Sequence, residues 1–441
     1  MLAKSVAAFL LCACSISAAE PDWPKVEQHA VAFLQRYVQV ESVNPPADTR
    51  LAAELLTGEF AGAGLEAKTY PGGPYGQTNL IVRLEGRDRS KRPLLLLNHM
   101  AVVPVDRAHW KLPPFGGVIF KGEMWGRGTL DMKSTGIMQL TALVLLKQLG
   151  IVPARDIVFV STCDEETGGV NGAGWMIAHH WDELNPEYVM DEGGVGSRDV
   201  FTPGKLVFGV SVADKQVLWL RLRAVGTSGH ASQPIPDNAN DLLIRAIEKA
   251  KEFPPAEKPN PVVQEMKDAV GAFASNKFMN AIQQNTISLT SLRSGLGNPP
   301  KANVIPSVAE AVLDCRLLPG QNAEEFISDI KARINDPRIT IEQISPKPDD
   351  PKPSPTDTAL YAAIKAAIQK QHPDAAVMPI VVPYGTDAQK FRMRGVTSYG
   401  IMPMVIDAAT LATMHSDSEH IPVDQFRQGL HIYFDILRSD W

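Results

Sequence analysis

The chain has 441 residues, of which 44 % are hydrophobic and 21 % charged, with 33 glycines and 34 prolines. That is globular usage with length for two or three domains, and it excludes a disordered, collagen-like or coiled-coil protein. Lys and Arg number 43 against 49 Asp and Glu, a net charge of −6, so no basic excess exists to neutralise phosphates and no nucleic-acid partner is expected.

The first segment reads as an export signal. Lys4 precedes the apolar run VAAFLLCAC, and the small residues Ser17, Ala18 and Ala19 suit cleavage, giving a signal peptide over 1–19. The run is too short to span a bilayer, which takes about 20 apolar residues, and no later stretch is long enough. The chain is therefore expected to be exported, periplasmic or secreted, without a membrane span. Lipid anchoring through Cys14 fits less well, because Cys12 stands where a smaller or β-branched residue is usual. The two later cysteines, Cys163 and Cys315, support neither a disulfide framework nor a thiolate metal site and read as buried apolar groups.

Helices are predicted at 25–40 and 50–63, then a strand at 94–97 whose four leucines mark burial on both faces. A long helix runs from Asp131 to Gly150, followed by strands at 156–162, 187–190 and 206–212. This is α/β alternation. Near residue 214 the texture changes: Leu218, Leu220 and Leu222 alternate with Trp219, Arg221 and Arg223, the pattern of an antiparallel strand with one solvated face. A helix at 237–251, a Pro-rich insertion at 253–261, strands at 285–292 and 308–317 and a helix at 322–334 follow. A Pro-punctuated linker over 346–355 leads back to α/β texture, with a helix at 356–370, a strand at 377–382 and a helix at 422–438. The expected fold is thus α/β. A mainly parallel-sheet domain, formed by 20–213 and 346–441, is interrupted by an α+β domain over 214–345 with an antiparallel sheet and helices.

Three predicted parallel strands run into acidic or imidazole side chains: His99, the pair Glu165 and Glu166, and the pair Asp191 and Glu192. Ligands bind at the carboxyl ends of strands in open α/β sheets. Asp131 follows the turn GRGT, and His415 lies in the late segment TMHSDSEH. Two carboxylates about 4 Å apart repel by about 4 kcal/mol at an effective dielectric near 20, so a cluster of three must protonate, separate or bind a cation. Histidine with carboxylates and no cysteine suits zinc, with manganese or cobalt as substitutes. One His and one Glu per ion around a shared Asp would make a two-metal site. Either Asp191 or Glu192 can be the ligand at this stage.

Six blocks in order make the pattern specific: HMAVVPV, GRGTLDMK, DEETGG, MDEGG, GTSGHAS and HSDSEHIP. Together they resemble the M20 family of dizinc metallopeptidases and aminoacylases, whose branches include carboxypeptidase S, bacterial glutamate carboxypeptidase and succinyl-diaminopimelate desuccinylase. The resemblance implies a hydrolase with two zinc ions and a small peptide or N-acyl amino acid as substrate. Asp131 would bridge the ions, with His99 and Glu192 on one and Glu166 and His415 on the other. Glu165 matches the general base. His230 matches a histidine that reaches into the partner subunit's site, so the inserted domain would act as lid and dimerising element of a homodimer. Asn303 and Arg316 match positions that hold the substrate's carboxylate, and Glu419 stands four residues after His415 as its supporting partner. One block departs from the pattern. Ala101 replaces an aspartate that accepts the other ring N–H of the first histidine, which implies weaker occupancy at His99, or a water or another carboxylate in that role. A catalytically impaired, metal- or peptide-binding protein is the alternative that Ala101 raises.

Overall fold

The computed structural model describes residues 20–252 and 260–441; the expected signal peptide over 1–19, with Cys12 and Cys14, and most of the Pro-rich insertion lie outside the described residues. The architecture is a mixed eight-stranded sheet with a second, four-stranded antiparallel sheet, as the sequence implies. In the large sheet the order is Ala67–Pro71, Thr78–Leu84, Ile157–Thr162, Leu94–His99, Tyr188–Ser197, Thr397–Val405, Val207–Asp214 and Ala376–Val382. The strand Leu94–His99 sits between two parallel neighbours, Ile157–Thr162 and Tyr188–Ser197. Its leucines are fully buried, as a strand covered on both faces requires.

The helix Ser134–Gln148 carries apolar residues all round and is buried along nearly its whole length, packing against the last helix, Val423–Arg438. Three expectations shift here. The helix starts at Ser134, leaving Asp131 in an irregular turn. The strand from Tyr188 continues to Ser197, so Asp191 and Glu192 lie within it rather than at its end. The segment 261–283, expected within the inserted domain, forms the helices Pro261–Val270 and Lys277–Gln283. Their Val262, Met266, Met279 and Ile282 join the core of the large sheet. Both helices pack against the strand Ala376–Val382, where their apolar residues are buried.

The small sheet runs Thr286–Ser294, Val308–Leu317, Gln216–Val225, Ile339–Gln343. Leu218, Leu220 and Leu222 are buried with Leu313 and Cys315, under the helices Ala239–Lys251 and Ala323–Ile334. Trp219 stays 42 % exposed on the other face, which is the alternation read from the sequence. Cys163 and Cys315 are both buried and free. A third, three-stranded sheet was not predicted: Val118–Phe120, Glu123–Trp125 and His420–Pro422. Its register pairs His420 with Trp125 and Ile421 with Met124, which draws the 415–419 loop beside the turn that carries Asp131. No helix among the described residues is long and apolar enough to cross a membrane.

Candidate metal centre

Asp131 stands between two imidazoles. Its Oδ1 is 3.0 Å from His99 Nε2 and its Oδ2 is 2.9 Å from His415 Nε2. Glu192 Oε1 lies 3.5 Å from His99 Nε2, and Glu166 Oε2 lies 3.4 Å from His415 Nε2. Two groups result, His99 with Asp131 and Glu192, and Asp131 with Glu166 and His415, each with its donor atoms close enough to share one cation. The set is nitrogen and carboxylate oxygen without thiolate, the chemistry of zinc and its first-row substitutes. A buried oxygen, Glu166 Oε1, has no hydrogen-bond partner, as a lone pair awaiting a cation would have none. The residues present fit a two-metal site.

The turn from Gly126 to Asp131 is built by Glu419, which is fully buried. Its Oε1 accepts the backbone N–H groups of Gly128 and Leu130 at 3.0 and 2.9 Å, with Asp131 N–H at 3.3 Å. Its Oε2 accepts Arg127 Nη1 at 2.5 Å. Glu419 therefore supports Asp131, not the His415 ring as the four-residue spacing suggested. Arg127, which the sequence reading passed over inside GRGT, also donates to the His415 carbonyl at 3.2 Å. That bond holds a histidine whose φ of +63° is left-handed and costs about 1–3 kcal/mol. Gly400 on the adjacent strand packs closely against the Glu192 backbone, where a Cβ would fall 1.8 Å from the Glu192 carbonyl oxygen. Asp191 points elsewhere and accepts the Ala388 N–H at 2.8 Å, so of the acidic pair only Glu192 joins the cluster.

The Ala101 question has a backbone answer. His99 Nδ1 is 2.8 Å from the carbonyl oxygen of Ala101 itself. The ring is thereby oriented with its Nε2 on the cluster, the carbonyl taking the acceptor role that an aspartate would otherwise fill. Burial works against a charged His99, yet Asp131 and Glu192 together hold its pKa well above the ordinary value. Burial, then the Glu192 charge, pushes the Glu165 carboxyl up; burial, then the Asp131 charge, does the same to Glu192. A bound dication reverses this logic for every carboxylate in reach.

The cluster floors a cavity of about 670 Å³. Val217, Trp219 and Arg316 line it from the inserted domain, and Tyr384, Thr386, Gln389 and Lys390 from the catalytic domain. Arg316 is where the sequence placed it, but its Nε and Nη2 are already bound to Asp314 at 2.6 and 2.9 Å. His230 and Asn303 are absent from this lining. They lie side by side on the inserted domain, where His230 pairs with Val304 and Ala231 N–H donates to the Asn303 carbonyl. Both are exposed. Tyr384 was missed altogether; it also lines an apolar recess behind Glu192 with Phe201, Phe278 and Met402.

The family model of peptidase family M20/M25/M40 matches residues 95–439. The chain belongs to this family. Probable carboxypeptidase S-like 1 from Dictyostelium discoideum is 30 % identical over 372 residues, covering 81 % of this chain and 75 % of the relative. Aminoacylase-1 from Mus musculus is 28 % identical over 424 residues, covering 94 % and 96 %. Among solved structures, the M20 family metallo-carboxypeptidase Sso-CP2 from Sulfolobus solfataricus superposes with a TM-score of 0.69 at 18 % identity, covering 93 % of this chain and 98 % of that one. This M20 chain is thus a metal-dependent amidohydrolase of the peptidase and aminoacylase type, and the cluster around Asp131 lies within the matched span.

Proposed function

We propose that this M20 chain is an exported dizinc hydrolase that cleaves an amide bond next to a free carboxylate, in dipeptides, C-terminal residues of short peptides or N-acyl amino acids. The observation that carries the reading is the split of Asp131, one oxygen to each imidazole. His99 and Glu192 would hold one ion, Glu166 and His415 the other, with Asp131 shared. When bound, the ions supply Lewis acidity at the scissile carbonyl. Glu165, whose Oε2 lies 3.9 Å from His99 Nε2, takes a proton from the attacking water and delivers it to the leaving amine.

Export rests on the 1–19 segment. A homodimer is supported by two features. The edge strand Thr286–Ser294 has an unpaired side, with Leu289 40 % and Leu292 57 % exposed, and such edges seek partners. His230 and Asn303 lie outside the chain's own cavity, where a partner subunit could use them. Against a catalytically impaired binding protein stand the Ala101 carbonyl, which supplies the orienting acceptor, and the retained Glu165.

The test is a metal count on purified protein followed by turnover of a panel of dipeptides and N-acyl amino acids. Two zinc ions per chain, hydrolysis of panel members and loss of both on chelation are expected. Two bound ions without turnover of any member would return the reading to a binding protein.

A further inference from the structure

We infer that Trp219 selects the residue that carries the substrate's free carboxylate, favouring an aromatic side chain there. This rests on the cleavage proposed above and names the half of the substrate that is discriminated.

Trp219 stands on the solvent face of the strand Gln216–Val225, alternating with the buried Leu218 and Leu220. The core of the inserted domain lies on the opposite face, so packing there does not call for an indole at 219. Further along its own face the strand carries Arg221 and Arg223, which pair with Glu342 at 3.0 Å and with Glu310 at 3.3 Å, as opposite charges do across the wet side of a sheet. Trp219 breaks that run. It is 42 % exposed and, with Val217, lines the cavity over the metal cluster. An aromatic ring left against water forfeits the free energy its burial would supply, and in this position a substrate side chain supplies that burial.

Register fixes which half of the substrate meets the ring. Val217 lies opposite Arg316, and Trp219 lies opposite Asp314, which holds Arg316 Nε and Nη2. Trp219 and Arg316 are therefore diagonal neighbours on one face, a separation of about 7–8 Å. Arg316 occupies the position that its sequence motif assigns to the substrate's carboxylate. The side chain of the bound residue leaves the same Cα as that carboxylate, so a ring on it comes within reach of the indole. Two aromatic rings in offset or edge-on contact attract beyond the area they bury, which favours phenylalanine or tyrosine over a small residue at that end.

The experiment measures kcat and KM for N-acetyl-phenylalanine and N-acetyl-alanine in wild type, Trp219→Ala, Trp219→Phe and Arg221→Ala. Wild type should prefer the phenylalanine compound. In Trp219→Ala that preference should fall about 10–100-fold, chiefly through KM, with the alanine compound little changed and the metal count intact; Trp219→Phe should recover part of it. Arg221→Ala, on the same face but outside the cavity lining, should keep it. The ratio of N-acetyl- to N-butanoyl-phenylalanine turnover probes the other half of the substrate and should be the same in Trp219→Ala as in wild type. A wild type without preference, a preference that survives Trp219→Ala, or a shift in the acyl-length ratio instead would overturn the inference and leave the functional reading standing. A zinc-loaded wild type that hydrolyses no N-acyl amino acid or dipeptide would overturn that reading, and the inference with it.

Discussion

Glu165 and Ala101 carry the sharpest expectations at the residue scale. Glu165 is within reach of the cluster but is not needed to complete either group of donors, so Glu165→Gln should lower kcat by about 10²–10⁴-fold while metal analysis still finds both ions. Loss of metal in that variant would make Glu165 a ligand instead. At Ala101 the acceptor is the backbone carbonyl, which the side chain does not alter. Ala101→Asp should therefore change zinc affinity by far less than the 10–100-fold that outer partners of a ligating histidine usually govern, as read by competition with a chelator. A tenfold gain would show the carbonyl to be a poor substitute. The ligand-type residues could be read in the chain because their motifs are local. Arg127 and Tyr384 could not, since each acts through neighbours far away in sequence, as Arg127 does through Glu419.

Between elements, the strand Val207–Asp214 is tied to the helix Asp387–Arg392 by an ion pair with almost no solvent access, Arg392 Nη1 to Asp214 Oδ2 at 3.0 Å. Arg392 also donates to the Ser398 carbonyl through Nε and Nη2. Arg392→Met would leave a buried carboxylate with one hydroxyl partner, Thr386, and should cost about 3–5 kcal/mol in denaturant unfolding. An unchanged midpoint would mean that the site collapses around the methionine. Lys215, at the crossover between the two sheets, donates to the carbonyls of Ala281 and Gln284 and to Thr286 Oγ1. Burial, then the Arg316 charge, brings its pKa down from 10.5 to about 7. Between those values the unfolded chain holds a proton that the native state has released, so this group's contribution to stability rises with pH across that window. Stability measured for wild type and Lys215→Met should diverge in favour of wild type from pH 7 towards pH 10; a constant gap would remove the lysine from the account.

For the whole molecule, the proposed dimer would associate through the exposed edge strand. Leu292→Glu puts a charge on that edge and should convert a dimer to monomers in light scattering. With His230 then unable to reach a second site, turnover should fall although each chain keeps its zinc. Wild-type protein that is monomeric at micromolar concentration would remove the dimer from the proposal.

Periodicity determined the α/β class and the inserted antiparallel sheet, and the resemblance carried by short local motifs implied the residues of the candidate metal centre, because both depend on side-chain type along short stretches of chain. Only tertiary structure shows Glu192 beside His99 and Asp191 turned to the Ala388 N–H, since adjacent residues on a strand face opposite ways. It likewise decided that Glu419 serves the Asp131 turn and that the helices of 261–283 return to the large core. Each of these is a contact between segments distant in sequence, and contacts of that kind follow from packing, which leaves no periodic trace in the sequence.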